Sequence, residues 1–205
     1  MTRLHIPAFI FALFIVSMPA NAEDIDEYYY LISPSQPTQT GSKVEVLEIF
    51  YYGCIHCYNY EPHLLSWLEN KPAAAEFRRM PAIFNRNMRP LAKAFYTAEQ
   101  LGVLEQIHQP LFDAIHRENR NISDDESLKA FFVSRGIDAD EFSRVYNSRE
   151  VAEKVRFAEV MGREYRIPGV PAVIVNGKYL TGPSPARGFK RLERVLEKLI
   201  ARESS

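Results

Sequence analysis

Val44-Glu45-Val46-Leu47-Glu48-Ile49-Phe50-Tyr51-Tyr52-Gly53-Cys54-Ile55-His56-Cys57 is the stretch on which the reading of this chain turns. Its first half is rich in β-branched and aromatic residues and reads as a strand over Val44–Tyr51. Its last four residues hold the only two cysteines of the 205-residue chain. They lead into Tyr58-Asn59-Tyr60-Glu61-Pro62-His63-Leu64-Leu65, which reads as a helix running to about Asn70, with Pro62 expected to kink or interrupt it. A dithiol with this spacing at a strand-to-helix junction is a redox motif. As a staple it would be nearly useless, because a loop closed over two residues constrains the unfolded chain very little. Reactivity explains the pair better.

Helix-end chemistry then makes the two thiols unequal. With Cys54 at the N-cap, its sulfur faces the backbone N–H groups two and three residues on, those of His56 and Cys57, which stabilise a thiolate. Cys57 lies one turn deeper. Cys54 is therefore the attacking thiol and Cys57 the resolving one. Lowering a thiol pKa by three units takes about 4 kcal/mol. A helix dipole supplies at most about 2 kcal/mol, so N–H···S bonds and the His56 imidazole must contribute. The bland alternative for His56 is an exposed histidine at a helix start. A metal site on Cys54, His56 and Cys57 lacks a fourth ligand, His63 being the nearest spare histidine, so no metal and no other cofactor is expected.

Glu48 has two open readings. Strand alternation places it with Val46 and Phe50, opposite Leu47, Ile49 and Tyr51. Buried among these it would have a raised pKa and could exchange a proton with Cys57; otherwise it faces solvent, as Glu45 is expected to do. Pro171, in Ile167-Pro168-Gly169-Val170-Pro171-Ala172, reads locally as an ordinary trans proline at a strand start.

Outward from the motif, Arg3, the apolar run Ile6 to Met18 and Ala20-Asn21-Ala22 form a secretory signal peptide cut after Ala22. The run is shorter than the roughly 20 residues that span a bilayer. Lys and Arg number 25 against 26 Asp and Glu, a formal net charge of −1, which argues against nucleic acid as a partner. Glu27 to Ile32 reads as a first strand and Phe77 to Phe84 as a third. From Met88 to Tyr165 apolar residues recur at helical spacing, with a capping box at Ser123-Asp124-Asp125-Glu126, another start at Asp138 and a stop at Gly136, giving four or five helices. Ala172-Val173-Ile174-Val175 and Lys178-Tyr179-Leu180-Thr181 flank Asn176-Gly177 as a hairpin with a type I′ turn. Ser184-Pro185 opens a last helix with Phe189, Leu192, Leu196 and Leu199 on one face.

Four of these segments, in order, resemble the DsbA family of periplasmic thiol:disulfide oxidoreductases: Glu48 to Cys57, Arg79 to Phe84, Gly169-Val170-Pro171-Ala172, and Val175 to Tyr179. The resemblance implies an α/β, thioredoxin-like fold with an inserted all-helical domain: residues 23–87 and 166–205 form the thioredoxin-like domain, 88–165 the insertion, and 1–22 the cleaved signal peptide. It implies Cys54 as nucleophile, Cys57 as resolving thiol, His56 as tuning histidine, Glu48 as buried acid and Pro171 as a cis-proline facing the disulfide, with Val170 and Ile55 contacting substrate. It also implies a monomer that donates its disulfide to reduced or unfolded secreted proteins and is reoxidised by a DsbB-type membrane quinone reductase. Ile55 stands where the family's familiar motif has proline, which bears on the redox potential. The competing readings are a disulfide isomerase or reductase, and a non-enzymatic metal-binding or chaperone module.

Overall fold

In the computed structural model, which describes residues 25–204, the dithiol motif joins an interior strand of a five-stranded sheet to the helix that covers one of its faces. The signal-peptide reading lies outside the described residues. The strands are β1 (Tyr30–Leu31), β2 (Val44–Phe50), β3 (Ala75–Pro81), β4 (Ala172–Val175) and β5 (Tyr179–Thr181), in the order β1-β5-β4-β2-β3. Only β2 and β3 run parallel; the other pairs are antiparallel. The parallel pair is connected by α1 (Ile55–Glu69). Between β3 and β4 lie α2 (Arg89–Gln100), α3 (Leu104–His116), α4 (Asp125–Ser134), α5 (Ala139–Tyr146) and α6 (Arg149–Glu164); α7 (Phe189–Glu203) follows β5. Among the described residues no helix is long and apolar enough to cross a membrane.

Two apolar clusters explain the layering. Leu47 and Ile49 point from β2 into a core shared with the inserted helices, including Phe95, Phe112, Phe131 and Phe132. Val44 and Val46 point the other way and pack with Val173, Val175, Tyr60, Leu64 and the α7 residues Leu192, Leu196 and Leu199. Every residue of β2 is therefore buried. This corrects the expectation for Glu45: it is only 2% exposed, accepts a hydrogen bond from the Gln39 N–H at 2.9 Å and lies 3.5 Å from Arg78. An interior strand covered on both faces has no solvent side, so polar alternation misleads there.

Other boundaries move for local reasons. The first strand is only Tyr30–Leu31, because Asp26–Tyr28 turns as a short 3-10 helix. The third strand begins and ends earlier than read, and Pro81 is tolerated because β3 is a sheet edge. Pro62 does not end α1: Cys57, Tyr60, Glu61, Leu64 and Trp67 are buried on both sides of it, and packing carries one helix across the missing N–H. The capping box belongs to Asp124 and Ser127, one residue on from the expected start. Asp138 caps α5 as read, accepting from the N–H groups of Asp140 and Glu141. Ser184-Pro185 lies in turns, and α7 starts later, after Gly188. The hairpin turn matches the reading. Asn176 and Gly177 have φ of 51° and 66°, and the Lys178 N–H bonds the Val175 carbonyl at 3.0 Å. A side chain at Gly177 would collide with the Gln36 backbone.

Candidate active site

β2 ends at Phe50, and the segment Tyr51-Tyr52-Gly53 turns the chain into α1, placing Cys54 at its N-cap with extended backbone (φ −95°, ψ 113°). Two contacts hold this turn. The Cys54 N–H donates to the Tyr51 carbonyl at 2.9 Å. His116, at the end of α3, donates a ring N–H to the Tyr52 carbonyl at 2.7 Å while stacking on Tyr58.

The structure holds the pair as free thiols, Cys54 half-buried and Cys57 buried. The thiol of Cys57, then burial acting in opposition, then the N–H groups of Cys57 and His56 and the His56 charge, together bring the Cys54 thiol down to about 6. Cys54 makes no full capping hydrogen bond, so the two N–H groups act as nearby donors and not as a closed cap. The same contact with Cys54, followed by burial, pushes the Cys57 thiol up, and the charge on Glu48 adds to that rise. His56 and Ile55 are exposed at the rim. The side chain of His63 stacks on Phe189, with ring centroids 4.0 Å apart.

The β4 end completes the site. The Val170–Pro171 peptide bond is cis, and the Val170 carbonyl accepts from the Cys54 thiol at 3.5 Å. An open groove of about 970 Å³ starts here, lined by His56, Asn59, Gly169, Val170, Pro171, Leu180 and Phe189. A second cavity, of about 470 Å³, lies beside Glu45, Arg78 and Phe157, and no cysteine lines it.

Beneath the dithiol is a buried ionic cluster. Glu48 is 1% exposed and pairs in register with Arg79 of β3. The Arg79 Nε donates to Glu48 at 2.9 Å, and Nη2 donates to Glu61 of α1 at 2.5 Å. Burial pushes the Glu48 carboxyl up to about 7, with Arg79 pulling down and Glu61 pushing further up. Burial opposes ionisation of Glu61 too, but His108 and Arg79 outweigh it and hold that carboxyl below its usual value. Of the Glu48 alternatives, the buried one matches the geometry. Sequence reasoning missed Glu61, Arg79, His108 and His116. Glu61, one turn beyond Cys57, and an arginine within an apolar strand were visible signals. Nothing local linked them.

The DSBA-like thioredoxin domain family matches residues 73–198. The thiol:disulfide interchange protein DsbA of Pseudomonas aeruginosa is 34% identical over 206 residues, covering 99% of this chain and 97% of the relative. That of Azotobacter vinelandii is 35% identical over 181 residues, covering 88% and 85%. The crystal structure of Pseudomonas aeruginosa DsbA superposes with a TM-score of 0.82 at 33% identity, covering 86% of this chain and 92% of that one. DsbA from Xylella fastidiosa gives 0.79 at 29% identity, covering 86% and 95%. In sequence and in fold the chain is thus alike to these proteins along most of its length, and it belongs to the DsbA family of thiol:disulfide oxidoreductases.

Proposed function

We propose that this oxidoreductase works as a disulfide donor in the periplasm, passing its Cys54–Cys57 disulfide to reduced secreted proteins as a monomer. The asymmetry of the two thiols carries this reading: Cys54 is accessible with a depressed pKa, and Cys57 is buried with a raised one. A substrate thiolate attacks the Cys54 sulfur of the disulfide. The Cys54–Cys57 bond breaks, a substrate–Cys54 bond forms, and Cys57 leaves as a thiolate. Being buried, that thiolate needs a proton, and Glu48 is positioned to supply it. A second substrate thiolate then attacks the substrate sulfur of the mixed disulfide. Cys54 leaves as the thiolate its surroundings stabilise, which favours the reduced enzyme. Substrate loses two electrons and the dithiol gains them; a DsbB-type membrane quinone reductase takes them back.

The Val170 backbone beside Cys54 suits pairing with an extended substrate, and the groove beyond it accepts the following residues. His56 tunes Cys54, Ile55 offers an exposed apolar contact, and Pro171 shapes the loop opposite. Residues 23–87 and 166–205 act as the redox domain, residues 88–165 as the inserted lobe over it, and residues 1–22 as an export signal.

The test is oxidation of a reduced two-cysteine peptide, followed by equilibration of the protein with glutathione. Stoichiometric oxidation, abolished in Cys54→Ser, with a potential at the oxidising end of the thioredoxin-like range, is the expected result. A potential near thioredoxin's, about −270 mV, or activity in Cys54→Ser, would overturn it.

A further inference from the structure

The buried cluster holds one cation and two carboxylates, so one carboxylate lacks a counter-charge. Arg79 bonds both Glu48 and Glu61, and all three are at most 14% exposed. Fully ionised, the trio carries a net charge of −1 in a place that disfavours charge, so it retains one proton across part of the neutral range. Arg79 does not determine which carboxylate keeps it, because it bonds each of them.

His108 of α3 breaks the symmetry. Its ring lies among Phe50, Phe95 and Phe112, none of which titrates. The polar and charged groups facing it are the Tyr52 hydroxyl, at 2.8 Å from Nδ1, Glu61 of α1, at 3.6 Å from Nε2, and, further off, Arg79 of β3. Glu48 bonds the Nε of Arg79 and is not among the groups that act on His108. Burial pushes the Tyr52 hydroxyl well above its usual value, so it keeps its hydrogen and can donate it. With Nδ1 accepting from Tyr52, the neutral ring carries its hydrogen on Nε2, the tautomer that turns an N–H and not a lone pair towards the Glu61 carboxylate. That hydrogen points at Glu61. His108 Nε2 and Glu61 Oε2 are both buried without a hydrogen-bond partner among the described residues, and the 3.6 Å approach of Nε2 is to Oε1, the oxygen that Arg79 also bonds.

We propose that His108 selects which carboxylate keeps the cluster's proton: its Nε2–H, fixed by Tyr52, favours the ionised form of Glu61 and leaves the proton on Glu48, the carboxylate whose charge Cys57 feels. His108 is thus a positioning residue that acts through Glu61 and Arg79 without touching substrate. The consequence for catalysis rests on the proposed role of Glu48; the selection itself does not.

The two are separable by experiment. Carboxyl carbon NMR titration of the dithiol form follows Glu48 and Glu61 directly. In His108→Asn an acceptor remains for Tyr52 but the donor towards Glu61 is lost. The Glu48 midpoint should fall about tenfold in proton affinity, about one pH unit, while that of Glu61 rises. His108→Gln, which can place an N–H where Nε2 stood, should keep the native midpoints. In a Glu61→Gln background, His108→Asn should no longer move Glu48. Tyr52→Phe, which frees the tautomer, should shift Glu48 in the same direction and serves if His108→Asn does not fold. A Glu48 midpoint unmoved in both His108→Asn and Tyr52→Phe, or a shift of equal size without Glu61, would overturn the proposal. The pH profile of disulfide reduction is the separate readout for Glu48: midpoints that move while the profile does not uphold the selection and remove Glu48 from the redox step.

Discussion

Replacing Glu48 with glutamine should stabilise the reduced protein, and the gain should grow with pH. An acid whose folded pKa is raised binds its proton more tightly when folded. Its contribution is complete below the unfolded pKa and is lost as pH rises through the folded one. For Glu48 that window runs from the ordinary 4.5 to about 7. At roughly 1.4 kcal/mol per pH unit, the loss reaches about 3 kcal/mol at pH 8. Glutamine has nearly the same shape and no charge to bury. Removing one partner of a buried ion pair usually costs 3–5 kcal/mol, because a charge is left alone. Here Arg79 keeps Glu61 at 2.5 Å, so its charge stays matched and the cluster becomes neutral. Urea denaturation of both proteins under reductant, from pH 4 to pH 8, should show a difference near zero at the acid end and about 3 kcal/mol in favour of Glu48→Gln at the alkaline end. A difference that does not change with pH, or a variant less stable at pH 8, refutes the reasoning.

Arg79→Met leaves Glu48 facing Glu61 without a cation. It should cost about 3–5 kcal/mol at pH 8 and much less at pH 5, measured by the same denaturation series. Cys57→Ser should accumulate a mixed disulfide when given a disulfide-linked peptide dimer, because the Cys54 thiolate displaces one peptide thiol and the buried resolving thiol that would release the other is gone; the adduct is detectable by mass under non-reducing conditions. His56→Ala should raise the Cys54 midpoint from about 6, where the native surroundings hold it, by less than about one unit, since the His56 charge acts on that thiol more weakly than Cys57, burial or the two backbone N–H groups. Ultraviolet thiolate absorbance would read the shift, and an unchanged or lower midpoint would count against the role of His56. His116→Phe keeps a ring over Tyr58 but loses the bond to the Tyr52 carbonyl, and should lower stability by about 1 kcal/mol, seen as an earlier denaturation midpoint.

Some of the molecule was legible because its cause is local. Cys54 lies at a helix start because the strand residues before it and the helix formers after it leave nowhere else for the turn. Asn176-Gly177 specifies its own turn through two positive φ angles. Gly136, at φ +84°, stops α4 as read. The errors fell where a neighbour decides. Glu45 looked solvent-facing because alternation says so, and it is buried because the inserted helices cover that face. Pro62 was expected to kink or interrupt its helix, and α1 is not interrupted there because buried residues on either side hold the helix to the sheet.

The sequence by itself determined the redox chemistry and the inequality of its two thiols, since both follow from two cysteines at a helix start. Only the tertiary structure decided what stands around them. Parallel pairing of β2 with β3 brings Arg79 beside Glu48, thirty-one positions away along the chain. The packing of α3 on α1 brings His108 to Glu61 across forty-seven positions, as their numbering shows. The physical reason is range. Capping, turns and strand propensity act within a few residues, whereas burial and charge pairing depend on distances in space that one-dimensional spacing does not contain.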